Sequence, residues 1–199
     1  MVADAFALLE LPRCAALAPE AVRTAFQKAA AAAHPDAAAD EADRVLRTAR
    51  FQQLNEAASL LTPVASRLKH LLALEFPEFT APRAAPMDEP LVALFTTVGA
   101  AVRAAADWTR QREAATTFLA KAGLTARGLQ VQESLEAAGA AVRHAQDLLH
   151  AGLILTDAAR RGETLPPPES LSVPAQQAAF LEKWQAQIQA AWADLFAAG

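Results

Sequence analysis

The chain has 199 residues, 53% of them hydrophobic, and a formal charge of −4. That length suits one domain or two small ones, and the acidic balance speaks against nucleic acid as a partner, because nucleic acid needs a basic field. One cysteine, Cys14, excludes an intramolecular disulfide and a cysteine-only metal site. The opening "MVADAFALLELP" carries Asp4 and Glu10 and lacks the apolar core of a secretory signal, so a cytoplasmic protein is expected. No uncharged apolar run of about 18 residues occurs, so no membrane span and no membrane partner are expected. Seven glycines, no tyrosine and no strict two-residue alternation point to an all-α chain.

In chain order, "DAFALLEL" is a first helix, ending before Pro12. A second begins near Pro19, a favoured first-turn residue, with Glu20 at the positive end of the dipole. Its apolar stripe is Val22, Phe26, Ala29 and Ala33, and Arg23 and Lys28 lie off it toward solvent. The alanine run 29–33 stops at His34-Pro35-Asp36, since the residue ahead of a proline is pushed out of the α region. A third helix spans about Glu41 to Leu61 with Phe51, Leu54, Ala58 and Leu61 on one face, and Phe51 is expected in the core. Thr62-Pro63 then opens a short fourth, "PVASRLKHLLALE". The second and third helices form a hairpin whose tip is the His-Pro-Asp break, exposed and free for contact.

A proline-rich stretch, 76–87, reads as a linker between a domain at 1–75 and another at 88–199. Three longer helices follow. One spans about Glu89 to Ala122 with Leu91, Leu94, Val98, Val102 and Ala105 on one face, and Gly123 suits its end. The next, about Thr125 to Arg161, carries a heptad-like seam of Val131, Leu135, Ala138, Val142, Ala145 and Leu149. After a stiff loop with Pro166, Pro167 and Pro168, the last spans about Pro174 to Ala198 with Phe180, Trp184, Ile188, Ala191 and Leu195. Short connections predict an antiparallel three-helix bundle.

The ionisable pair at the break admits three readings. His and Asp beside a proline make an ordinary turn. As metal ligands, His34 and Asp36 have only His70 and Glu75 elsewhere for company, without the paired spacing or the three protein ligands of a catalytic zinc. As an acid–base pair they lack any marked nucleophile or pocket. No metal and no cofactor is expected, and the chain reads as a non-enzyme.

A fourth reading comes from likeness. "DAFALLELP", "APEAVRTAFQKAAAAAHPD" and "FQQLNEAASLLTPVASRLKHLLAL" together resemble a J-domain, the chaperone-activating module of DnaJ-like proteins. Phe51, Leu54, Asn55, Ala57, Leu61, Pro63 and Arg67 match that family's closing pattern in order and spacing. The resemblance covers about Asp4 to Leu74. It implies that His34, Pro35 and Asp36, with Arg23 and Lys28 of the preceding helix, contact a DnaK-type chaperone and stimulate its ATP hydrolysis. The glycine-rich and cysteine-rich regions of most DnaJ-like proteins are missing. A short fourth helix followed by a helical bundle, with "RLKHLL" at Arg67 to Leu72, is similar instead to the HscB family, which implies delivery of an iron–sulfur scaffold protein. The same resemblance implies scaffold contact through the apolar Leu91, Leu94 and Phe95, although bundle core is the favoured reading of those three. Another client, or a J-like module without chaperone stimulation, are the alternatives.

Overall fold

The computed structural model describes residues 3–80, 87–162 and 165–198. All regular structure in them is helical, in the order α1 (Ala5–Leu8), α2 (Pro19–Ala32), a 3₁₀ turn (Pro35–Ala37), α3 (Glu41–Leu61), α4 (Val64–Glu75), α5 (Glu89–Ala114), α6 (Phe118–Gly123), α7 (Thr125–Arg160) and α8 (Glu169–Ala198). The all-α class expected from periodicity holds. Residues 81–86, half of the expected linker, lie outside the described residues.

Two compact units divide the chain. One comprises Met1–Arg83 with Leu149–Ala179, the other Ala84–Leu148 with Phe180–Gly199. The boundary therefore differs from the expected division at the linker. The end of α7 and the start of α8 belong with the N-terminal helices, because Leu153, Leu171 and Ala175 are buried in one cluster with Phe6, Val22, Leu54, Leu61, Leu68 and Leu71.

In the first unit, Asp4 caps α1, its Oδ1 accepting from the N–H groups of Phe6 and Ala7 at 3.0 and 3.2 Å. Glu10, at φ 55°, turns the chain out of α1. The loop that follows is pinned from two sides. Asp157 of α7 accepts from the N–H of Ala15 (2.7 Å) and of Ala16 (2.8 Å). Arg67 of α4, fully buried, donates to the carbonyls of Ala15 (3.1 Å) and Leu61 (2.8 Å), the second satisfying an orphan acceptor at the end of α3. Arg160 bridges Asp157 (2.7 Å) and Glu75, all three nearly enclosed.

In the second unit, α5, α7 and α8 interlock as the expected antiparallel bundle. The Trp108 indole N–H donates to the Leu124 carbonyl at 3.0 Å, and its ring lies against Gly128. Val131, Leu135, Ala138 and Val142 of α7 are buried, as are Trp184, Ile188 and Leu195 of α8. Two boundaries differ from expectation. The first helix ends at Ala114, and Thr117 caps a separate α6 through its hydroxyl, which accepts from the Ala120 N–H. The last helix begins at Glu169, with Pro174 inside it. Burial of Leu171 and Ala175 on either side of Pro174 outweighs the one backbone hydrogen bond it forgoes.

Among the described residues, α5 is long and apolar enough to cross a membrane by length and composition, although Arg103 and Asp107 interrupt its apolar run. Its buried residues Leu91, Val98, Ala101, Ala105 and Trp108 form one stripe, the pattern of a helix packed on other helices.

Candidate functional site

The α2–α3 tip is built from short-range interactions that order it without burying it. His34 leaves the helix with extended backbone (φ −65°, ψ 130°), as a residue preceding proline must. Its Nδ1 accepts from the Asp36 N–H at 3.2 Å, which leaves Nε2 to carry the proton. Pro35, with fixed φ, starts a single 3₁₀ turn closed by Ala37 N–H to the His34 carbonyl (3.2 Å) and Ala38 N–H to the Pro35 carbonyl (3.1 Å). The Asp36 carboxylate is 90% exposed, its Oδ2 3.6 Å from His34 Nδ1. Beneath the turn, the His34 ring meets Phe51 edge-on with centroids 6.0 Å apart, and Phe51 meets Phe26 at 6.2 Å. Phe51 is therefore a half-buried buttress for His34 and not the enclosed core residue expected of it.

A second set of contacts closes the tip. Asp40 accepts from the Asp43 N–H at 2.8 Å, and Asp43 accepts from the Ala39 N–H at 3.0 Å, a reciprocal cap on α3. Arg47 donates to Asp43 at 2.8 Å and to the Ala32 carbonyl at the end of α2 at 3.0 Å. The Arg47 hydrogen bond, foremost, and the Ala39 N–H hold the Asp43 carboxyl below its ordinary pKa. One relay thus joins the end of α2 to the start of α3 across the break. The sequence signal for it was the pair Asp40 and Asp43 at cap spacing.

The two expected cations of α2 are not free charges. Arg23 pairs with Glu20 at 3.1 Å and Lys28 with Glu10 at 3.2 Å, all four exposed. The structure places both on the hairpin's surface, beyond the His34–Asp36 turn. His70, considered above as a ligand, is buried in the first unit's core, stacked on Phe6 and accepting the Ala5 N–H at Nε2 (3.0 Å), and burial holds its pKa down. Glu75, the other, is held by Arg160. Among the described residues no three of His, Cys, Asp and Glu gather as metal ligands would.

In the second unit, Leu91 is core and Leu94 half-buried, while Phe95 is 56% exposed. The Phe95 ring lies 6.0 Å from Trp184, which stacks on Phe180 at 5.9 Å. Phe180, expected in the core stripe, stands at the surface like Phe95, and the buried Trp184 links the two across α5 and α8.

No family model matches the chain and no curated protein matches it. Among solved structures it is similar to "Chaperone HscB from Vibrio cholerae", at 18% identity and a TM-score of 0.56, over 97% of this chain and 99% of that one. The likeness runs through both units, and the chain has an HscB-like, all-α fold.

Proposed function

We propose that the protein is a J-type co-chaperone that stimulates ATP hydrolysis by a DnaK-type chaperone and brings it a client, with an iron–sulfur scaffold protein as that client. The observation that carries the reading is the His34-Pro35-Asp36 turn, ordered from below yet exposed, at a hairpin tip within an HscB-like fold. An exposed carboxylate on a rigid turn suits a bidentate contact with a partner guanidinium. The protein performs no chemistry of its own and holds no cofactor. It acts in the cytoplasm. Phe95 and Phe180, backed by the buried Trp184, supply an apolar surface for the client.

The test is single-turnover ATP hydrolysis by a DnaK-type chaperone with and without this protein. Wild type is expected to accelerate it. His34→Gln is expected to abolish the acceleration without lowering the melting temperature, because the tip buries little. Adding the scaffold should raise the rate further. Stimulation indifferent to the scaffold points to another client, and equal loss of stability and activity in His34→Gln removes the contact role.

A further inference from the structure

On α2 both cations, Arg23 and Lys28, stand in exposed ion pairs with Glu20 and Glu10. On α3, Arg44, Arg47 and Arg50 recur every third residue. Arg44 pairs with Glu41 and Arg47 with Asp43, whereas Arg50 is exposed and, among the described residues, has no carboxylate in ion-pair range. Arg50 also lines a cleft of about 430 Å³ between α1, α2 and α3. Its apolar walls include Leu8, Ala29, Ala33 and Leu54, and Leu46, 71% exposed, stands on its rim.

The cleft exists because α2 ends in alanines. Methyl groups at Ala29, Ala32 and Ala33 leave a hollow that bulkier residues would fill. Glu10, which also lines it, is paired with Lys28, and the guanidinium at the rim without a carboxylate partner among the described residues is that of Arg50. Ala33 is joined directly to His34, and Arg47, on the wall, ties α2 to α3 through the Ala32 carbonyl.

We propose that the cleft is a second docking site for the same chaperone, and that it takes an acidic segment bearing a large aliphatic side chain. The aliphatic group fills the alanine-lined hollow beside Leu46, and a carboxylate meets Arg50. This rests on the reading of the tip as the chaperone contact. It moves the electrostatic part of recognition from α2 to α3, and a fork-shaped guanidinium at the rim selects a carboxylate by geometry as well as by charge.

The test measures binding of the DnaK-type chaperone to the full chain, and single-turnover hydrolysis, for wild type, Arg50→Glu, Leu46→Ser, Arg50→Lys and Arg103→Glu. Melting temperatures establish folding, and the exposed positions of Leu46 and Arg50 favour it. Arg50→Glu and Leu46→Ser are each expected to weaken binding about tenfold at low salt, the first losing its effect as salt rises. Arg50→Lys should recover part of the loss, and Arg103→Glu, a charge reversal at an exposed position of the second unit, should stay within about twofold of wild type. Arg50→Glu and Leu46→Ser binding like wild type, while His34→Gln still abolishes stimulation, overturns the cleft and leaves the tip standing. Wild type failing to bind the chaperone overturns both.

Discussion

Asp157 is 142 residues from the loop it holds, and replacing it tests whether the end of α7 belongs to the first unit. Its carboxylate accepts two backbone N–H groups, from Ala15 and Ala16, and takes Arg160 at 2.7 Å. Asp157→Ala removes all three bonds and leaves a buried Ala15 donor without its acceptor, while Arg160 keeps Glu75. Hydrogen bonds to a charged group contribute about 1.5–3 kcal/mol each, and breaking an enclosed ion pair costs about 3–5 kcal/mol. The bonds are not independent, so about 3–5 kcal/mol is the expected loss, against a total stability of about 5–15 kcal/mol. Urea unfolding followed by circular dichroism measures it. Cys14 gives a local readout, because burial first and the Asp157 carboxylate second hold its thiol above the ordinary pKa. Without Asp157 the loop loosens, and Cys14 should react several-fold faster with a maleimide below the unfolding transition. A loss under about 1 kcal/mol with unchanged Cys14 labelling would refute the claim that this contact holds the loop.

Phe51→Ala should cost about 2 kcal/mol, below the 3–5 kcal/mol range of enclosed phenylalanines, because the ring is half-buried. It should also reduce ATPase stimulation, since the ring supports His34, and full activity in the folded variant would remove that support. His70 has a folded-state pKa below its unfolded value, burial being the main cause. The unfolded chain therefore binds the extra proton first, and stability is present above the unfolded pKa and declines as pH falls through about 6.5 toward the folded value. Melting temperature against pH should show this slope, flattened in His70→Gln. Gly128→Ala would bring a methyl within 2.9 Å of the Trp108 ring, which is held by its bond to Leu124, and should cost about 1–3 kcal/mol with a shift in tryptophan emission. Gly152→Ala, with nothing within 4 Å, should stabilise by about 0.5–1 kcal/mol.

Where local chemistry decides, the fold was legible from residues alone. Asp40 as a cap and Thr62-Pro63 as a stop bound α3 at the expected Glu41–Leu61. Pro19 opened α2 as expected, and the seam of α7 is buried at Val131, Leu135, Ala138 and Val142. The misses share a physical cause, which is that a distant partner outweighed a local rule. Pro174 reads as a helix start, and the burial of Leu171 and Ala175 carried the helix through it. Residues 149–179 read as bundle, yet Asp157, Arg160 and Leu153 tie them to α1, α2 and α4, and no periodicity encodes a carboxylate's choice of backbone donor in another helix's loop. The tip motif was plain, whereas the relay from Ala39 through Asp43 and Arg47 to Ala32 joins four residues of unremarkable type.

The alanine run of α2 now has a structural consequence. Alanine has the highest helix propensity, so five in succession keep α2 helical up to the proline without bulk. The same lack of bulk hollows the surface beside the tip and removes the positions on which cations could stand. A chain that kept the His-Pro-Asp turn but lost the charge beside it would dock weakly if charge on α2 were required. Arg50, across the hollow on the facing helix, is the cation that borders it without a carboxylate partner among the described residues. The alanines and the arginine therefore belong to one arrangement, and a double variant that fills the hollow (Ala29→Leu) and removes the charge (Arg50→Gln) separates its parts. If the two effects on chaperone binding exceed or fall short of their sum, hollow and charge act on one bound segment; strict additivity would assign them to separate contacts.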